Sequence, residues 1–151
     1  MNPSDQSTEP ADAAALPLAG VRVIEFTHMV MGPTCGMILA DLGAEVIKVE
    51  PLAGDNTRRL LGSGAGFYPM FNRNKRSLAV DVKDGRGREI VLRLAGGADV
   101  FSENFKGGVM DKLGLGYTQL AARHPANVMA SGSVYGQTGP LAGEWGVDGT
   151  G

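Results

Sequence analysis

The chain has 151 residues, a length typical of one domain, and it carries 14 Lys and Arg against 16 Asp and Glu. This balance excludes a general binder of nucleic acid or of anionic membranes, because no strong positive field surrounds the molecule. Cys35 is the only cysteine, which excludes an internal disulfide and a multi-cysteine zinc site. We therefore predict no metal centre and a cytoplasmic location, where thiols stay reduced.

The first sixteen residues differ in composition from the rest of the chain. Residues 1–16 are rich in Ser, Asp, Glu, Pro and Ala, and they contain neither an arginine cluster nor a long apolar run. This composition predicts a disordered tail and argues against a signal peptide or a membrane span. Residues 17–151 are then expected to form the folded part.

The folded part begins with a strand, a helix and a second strand. Alternating β-branched residues predict a strand at 21–26, an apolar segment predicts a helix at 34–42, and residues 45–49 predict the next strand. Two strands joined by a helix pair in parallel with a right-handed crossover. Residues 50–69 are rich in glycine and predict a long loop, which is usually functional or mobile in a compact domain, and here we expect a functional one.

The second half of the chain continues the alternation. Its predicted elements are a strand at 77–82, a helix at 86–94, a strand at 98–102, helices at 109–113 and 118–123, and a strand at 127–131. This pattern predicts an α/β fold with a Rossmann-like, doubly wound and mostly parallel sheet, whose ligands bind at the carboxyl ends of the strands. No closing helix follows Gly136, so we expect further sequence or a partner chain to complete the sheet.

The residues after the strands are the candidates for chemistry. The first strand-end loop, 27–33, lacks the G-x-G-x-x-G pattern that a dinucleotide fold uses to approach a pyrophosphate, which disfavours NAD. Glu50 ends the second strand, either as a ribose-binding acid or as a solvated strand-end charge. The basic residues Arg73, Lys75 and Arg76 predict a solvated face, or charge-assisted bonds if a phosphate lies near them.

Several motifs together point to one family. The chain opens with Gly-Val-Arg-Val-Ile-Glu-Phe-Thr-His at 20–28, and Leu-Gly-Ala-Glu-Val-Ile-Lys-Val-Glu follows at 42–50. Further matching segments are Gly32-Pro33, Gly54-Asp55 with Thr57-Arg58, 72–77, Asp99-Val100 with 103–105, 113–117 and 135–140. From about residue 17 to the end, the chain resembles the class III CoA-transferase family, which includes formyl-CoA transferase, carnitine CoA-transferase and α-methylacyl-CoA racemase.

This resemblance implies that the chain is the N-terminal portion of a transferase that moves CoA from an acyl-CoA to a small carboxylic acid. Coenzyme A is then a substrate and no cofactor is permanently bound, and the full-length enzyme is expected to be an interlocked homodimer. The resemblance assigns the following residues to CoA binding: His28, Met29, Val30, Met31, Val80, Lys83, Asn104, Phe105, Lys112 and Tyr135.

Some of these residues also fit other roles. His28 is also consistent with a loop histidine bonded to backbone, Asn104 with a strand-end cap, and Phe105 with a core side chain. The chain also departs from some formyl-CoA transferases, since Pro51 stands in place of an arginine and Ser133 in place of a lysine.

The catalytic carboxylate is the least determined part. CoA transfer needs a carboxylate that attacks the thioester and backbone N–H groups that hold the oxyanion, and the resemblance places this aspartate beyond residue 151. Asp148 matches instead a racemase position that exchanges a proton α to the thioester, although it also fits a turn residue beside glycine. Three functions therefore stay open: a CoA-transferase, a racemase or epimerase that uses Asp148, and a CoA-binding module without catalysis.

Overall fold

A five-stranded sheet forms the centre of the molecule. The computed structural model describes residues 16–144 and residue 146, so the predicted tail apart from Leu16, together with Asp148, lies outside the described residues. The strands are β1 (Arg22–Phe26), β2 (Glu45–Glu50), β3 (Lys75–Ala79), β4 (Val100–Glu103) and β5 (Val128–Ser131). All neighbours pair in parallel in the order β3-β2-β1-β4-β5, which confirms the predicted Rossmann-like α/β fold.

Helices connect the strands. They are α1 (Met31–Asp41), α2 (Phe67–Phe71), α3 (Gly85–Ala95), α4 (Val109–Lys112) and α5 (Tyr117–Arg123), with 3-10 turns at Asn56–Arg59 and Gly62–Gly64. Helix α1 begins three residues before the predicted start, because Pro33 lies in its first turn, where a missing N–H leaves no bond unmade. None of the helices in the described ranges is long and apolar enough to cross a bilayer.

Two segments between β2 and α3 also differ from the sequence prediction. Strand β3 covers Lys75–Ala79 instead of 77–82, since Lys75 and Arg76 already pair with Val46 and Ile47 of β2. The predicted loop at 50–69 contains the two 3-10 turns and the start of α2. Both differences arise in a stretch where charged and polar side chains are held by partners far away in sequence.

The core lies on both faces of β1, because successive side chains of a strand point to opposite faces. Ile24 packs with Phe101, Val91 and others on one face, and Val23 packs with Val46 and α1 on the other. The rings of Phe26 and Phe101 stack at 5.3 Å between centroids. Burial of each large apolar side chain stabilises the fold by roughly 1.5–3 kcal/mol.

The strand order reverses direction at β1. The chain moves outward from β1 to β2 and β3, and then crosses to β4 on the other side of β1. The loops that follow β1 and β4 therefore diverge at the carboxyl ends of these two strands, which is where open α/β sheets form a binding crevice.

Candidate functional site

A cavity of about 470 Å³ lies at the carboxyl edge of the sheet. The loops that follow β1, β4 and β5 form its walls. Its lining consists of His28, Met29, Val30, Met31, Asn104, Phe105, Lys106, Val109, Gly132, Ser133, Val134, Glu144 and Gly146. Its size and mixed polar and apolar lining are those of a small-molecule site.

The structure brings together six of the ten residues assigned to CoA. These six are His28, Met29, Val30, Met31, Asn104 and Phe105. The other four do not line the cavity: Val80 packs in the hydrophobic core, Lys83 and Lys112 are exposed, and Tyr135 is half-buried. The loop after β3, which carries Lys83, follows the edge strand and is two strands away from β1. The ten assignments to CoA stay predictions.

Asn104 fixes the wall that His28 provides. The His28 N–H donates to Asn104 Oδ1 at 2.9 Å, and Asn104 Nδ2 donates to the His28 carbonyl at 3.0 Å. The two bonds join the loop after β4 to residues 27–30, which we call the β1 loop. Asn104 is thus a bridge between two strand-end loops, in addition to its position in the cavity wall.

The His28 ring is half-buried in the cavity wall. It stacks on Phe105 at 5.2 Å between centroids, and its Nδ1 is buried without a hydrogen-bond partner among the described residues. Burial lowers the pKa of His28, and the lysine Lys48 acts in the same direction, although Asp55 opposes them. The imidazole is therefore neutral at pH 7, with a polar atom left for a ligand or for water.

Met29 has a strained backbone. Its φ is +64°, a left-handed conformation that costs a residue other than glycine of order 1–3 kcal/mol. The Met29 N–H donates to Thr57 Oγ1 at 3.0 Å, and Thr57 itself is 2% exposed. A half-buried hydrogen bond to a buried hydroxyl thus holds the β1 loop at its most strained residue.

A cluster of buried charges lies beneath the β1 loop. Lys48, Glu25, Asp55 and Lys75, which we call the Lys48 cluster, are each 5% exposed or less at the side chain. Lys48 Nζ lies 3.5 Å from Glu25 Oε1 and 3.2 Å from Asp55 Oδ2, and it donates to the Thr27 carbonyl at 2.5 Å. Two acidic and two basic side chains balance in charge, which offsets the cost of burying them. The cluster holds the β1 loop from inside the protein through the bond from Lys48 to the Thr27 carbonyl.

Lys75 corrects the interpretation of the basic segment as a solvated face. Its Nζ donates to both carboxylate oxygens of Glu25 at 2.9 and 3.0 Å and to the Pro33 carbonyl at 2.8 Å. Burial lowers the pKa of Lys75, although Glu25 opposes this shift. The neighbours Arg73 and Arg76 are exposed and pair with Asp41 and Glu45.

Glu50 is neither a ribose-binding acid nor a solvated charge. It is 2% exposed, and its carboxylate accepts hydrogen bonds from Arg58, Tyr68, Ser77 and the Asp55 N–H. Burial raises the pKa of Glu50, but these bonds prevail and lower it to about 2. Both predicted alternatives for Glu50 were wrong because four partners 5 to 27 residues further along the chain enclose it.

Asp55 and Thr57 belong to a family motif in the sequence, but the motif assigns neither residue a role. Their spacing of two residues is typical of an Asp side chain that caps a turn, and Asp55 Oδ1 accepts from the Thr57 N–H at 2.8 Å. The spacing of Asp55 and Thr57 is visible in the sequence, but the contact of Thr57 with Met29 is not.

In the part of the chain that the structure describes, no group of three His, Cys, Asp or Glu could hold a metal ion.

Comparison with known proteins identifies the family. Residues 18–151 match the sequence profile of CoA-transferase family III. The chain belongs to this family. It is 44% identical over 137 residues to human succinyl-CoA:glutarate CoA-transferase, a match that covers 87% of this chain and 31% of that enzyme.

Other members of CoA-transferase family III agree with this result. Acetyl-CoA:oxalate CoA-transferase of Acetobacter aceti is 45% identical over 130 residues, which covers 83% of this chain and 33% of that protein. The crystal structure of Rv3272 from Mycobacterium tuberculosis superposes with a TM-score of 0.84 at 43% identity, over 89% of this chain and 37% of that one. The chain spans about a third of the length of these relatives.

Proposed function

We propose that the protein carrying this sequence transfers coenzyme A from an acyl-CoA to a free carboxylic acid. The observation that carries the proposal is the cavity at the carboxyl edge of the sheet, in a chain of CoA-transferase family III, with the β1 loop and Asn104-Phe105 in its wall. Six residues assigned to CoA by resemblance meet there, although they come from two separate segments of the sequence.

The cavity wall suits a thioester carrier. The apolar side chains of Met29, Met31 and Val134 suit a pantetheine arm, while Lys106 supplies one positive charge for a phosphate. Gly132 has no side chain, and a Cβ there would lie 3.0 Å from Met31 Cε, so glycine allows Met31 to pack closely on this part of the wall. The neutral His28 offers a hydrogen-bonding nitrogen without adding charge beside the acyl group.

The reaction proceeds by covalent exchange at an aspartate. The enzyme carboxylate attacks the thioester carbon and expels the CoA thiolate. This step forms a mixed anhydride between the enzyme and the donor acyl group. The thiolate then attacks the enzyme's acyl carbon, which releases the donor acid and forms an aspartyl-CoA thioester. The acceptor carboxylate attacks this thioester, expels the thiolate and forms a second mixed anhydride. The thiolate then attacks the acceptor's acyl carbon, which gives the acceptor's CoA thioester and restores the enzyme carboxylate. Backbone N–H groups stabilise each oxyanion.

The nucleophile in this proposal is an aspartate beyond residue 151. Among the described residues that line the cavity, Glu144 alone has a carboxylate, and the family resemblance gives it no catalytic role. Asp148, on which the racemase alternative depends, lies outside the described residues, so no observation favours proton exchange.

The substrates and the assembly also belong to the proposal. The two relatives above are named for succinyl-CoA with glutarate and for acetyl-CoA with oxalate, so we propose a small carboxylic acid as acceptor. We also propose a cytoplasmic homodimer without a permanently bound cofactor. Leu61 is 90% exposed and Leu52 is 72% exposed. Exposed apolar side chains of this size support the proposal that further chain or a second subunit covers them.

Calorimetric titration tests the binding half of the proposal. CoA should bind the protein saturably, and NADH should not, because the β1 loop lacks the dinucleotide glycines. A Gly132→Leu variant, whose side chain would displace Met31 in the cavity wall, should lose CoA binding, while Gly85→Ala, where a Cβ meets nothing within 4 Å, should retain it. Saturable binding of NADH but not of CoA would contradict the proposal.

Turnover assays separate the two reactions. Acetyl-CoA or succinyl-CoA is incubated with a panel of small acids, and the full polypeptide that carries this sequence should produce the acceptor's CoA thioester. The 151-residue chain alone should show weak or no turnover. In heavy water without an acceptor, an α-branched acyl-CoA should gain no deuterium, and rapid deuterium uptake would instead favour a racemase.

A further inference from the structure

Thr57 contacts the β1 loop from outside the cavity. It is 2% exposed and does not line the cavity, yet its Oγ1 accepts the Met29 N–H at 3.0 Å. The same hydroxyl donates to Asp55 Oδ1 at 2.8 Å. Because the hydroxyl hydrogen is directed at Asp55, a lone pair of Oγ1 is left to face Met29.

Asp55 is itself held from several sides. Its N–H donates to Glu50 Oε2 at 2.8 Å, and its Oδ1 accepts the Thr57 N–H at 2.8 Å. Lys48 Nζ lies 3.2 Å from Asp55 Oδ2 and also donates to the Thr27 carbonyl. Asp55 therefore couples two anchors of the β1 loop, one at Thr27 and one at Met29.

The Met29 anchor differs from the others because it acts on a strained residue. Asn104 holds His28 by two bonds and Lys48 holds Thr27 by one, while Met29 alone in this loop has a positive φ, of +64°. A left-handed residue relaxes unless its surroundings hold it. Loss of the Thr57 hydroxyl should free the loop to change shape at the cavity wall.

We propose that Thr57 is a positioning residue for the CoA site: its hydroxyl, oriented by Asp55, holds the Met29 N–H and thereby keeps the β1 loop in the shape that lines the cavity. This inference rests on the proposed function, since CoA is the ligand. It adds Thr57, which lies in the Asn56–Arg59 turn, and Asp55, which caps this turn, to the binding machinery, although neither of these two side chains lines the cavity.

The test compares Thr57→Val with Thr57→Ser in the full polypeptide that carries this sequence. Valine keeps the shape and removes the hydroxyl, so the Kd for CoA and the KM for the acyl-CoA should rise about tenfold, the factor expected for the loss of one hydrogen bond. The value of kcat should change less than KM. Serine retains the hydroxyl and should restore both constants to within about twofold.

A second readout does not depend on a ligand. Hydrogen exchange resolved to the Met29 amide should be slow in the unliganded parent and in Thr57→Ser, and about tenfold faster or more in Thr57→Val. The control is Val91→Ala, which truncates a fully buried core side chain of α3, a helix that does not line the cavity, and so lowers stability without touching the site. This variant should leave the Met29 exchange rate and the Kd unchanged.

The outcomes separate the two proposals. If the parent binds CoA and a folded Thr57→Val binds it equally well, or if serine does not restore binding, the role of Thr57 is wrong and the proposed function stands. If Val91→Ala reproduces the valine result, general destabilisation explains it and the inference fails. If the parent does not bind CoA, the proposed function and this inference both fail. Should the valine variant not fold, fast exchange of the Met29 amide in the parent would still overturn the inference.

Discussion

At the scale of single residues, Asn104 makes the contact that joins the two sides of the crevice. Its side chain uses a donor and an acceptor on the same neighbour, the backbone of His28. Asn127 is a matched residue at the opposite end of the sheet. It is 7% exposed, and its Nδ2 donates to the Ala98 carbonyl at 2.9 Å.

We expect Asn104→Ala to destabilise the protein by about 1–3 kcal/mol and to weaken CoA binding about tenfold, because it leaves the His28 N–H and carbonyl without these partners. Chemical denaturation and calorimetric titration measure the two effects. Asn127→Ala should cause a similar loss of stability and leave the Kd for CoA unchanged. An equal loss of affinity in both variants would show that Asn104 acts through stability alone.

At the scale of elements, helix α1 packs directly on the buried Glu25 of β1. A Cβ on Gly36 would lie 1.6 Å from Glu25 Oε2 and 2.8 Å from Glu25 Cδ. Glu25 cannot move freely, since Lys75 bonds both of its carboxylate oxygens. The approach of the helix to the sheet therefore depends on glycine at this position.

We predict that Gly36→Ala lowers the free energy of unfolding by about 2 kcal/mol or more. Alanine favours a helix over glycine by up to about 1 kcal/mol, but displacement of an ion-paired, buried carboxylate costs more than this gain. Gly85→Ala is the control, since its Cβ would meet nothing within 4 Å, and it should be neutral or stabilising. A stabilised Gly36→Ala variant in denaturant titration would contradict the packing described.

At the scale of the whole molecule, Glu50 ties the segment between β2 and β3 to the sheet. Its partners Arg58 and Tyr68 lie in the first 3-10 turn and in α2, and Ser77 lies in β3. Hydrogen bonds lower the pKa of Glu50 from an ordinary value of 4.5 to about 2. The charged carboxylate is therefore part of the folded state.

The sign of the pH dependence follows from this lowered pKa. Above pH 4.5 Glu50 is ionised in both states and its full contribution is present, whereas between pH 4.5 and about 2 the unfolded chain takes up the proton first. The free energy of unfolding should fall by roughly 3 kcal/mol over this range because of Glu50. Acid titration of stability measures it. Glu50→Gln should be less stable at pH 7 and should show a shallower fall in acid than the parent.

A surface carboxylate serves as the control for the acid titration. Glu89 lies on the exposed side of α3 and pairs with Arg93 and Arg123. Glu89→Gln should change stability at pH 7 and the acid slope less than Glu50→Gln does. Equal effects of the two substitutions would mean that Glu50 is not the anchor of this segment.

The sequence by itself determined the family and the order of strands and helices. The β-branched runs, the apolar helix faces and the motifs from residue 17 onward required no knowledge of distant contacts, because strand and helix periodicity are local properties. The same patterns placed the β1 loop and Asn104-Phe105 at strand ends, where a crevice forms in a parallel sheet.

Only the tertiary structure decided which polar residues are buried. Lys75 in a basic segment and Glu50 at a strand end have the same sequence signature as solvated charges, but they lie against Glu25, 50 residues away, and Ser77, 27 residues away. The support that Thr57 gives to Met29 spans 28 residues in the same way. A charge or hydroxyl is stable inside a protein only when its partners arrive with it, and the folded chain alone brings those partners together.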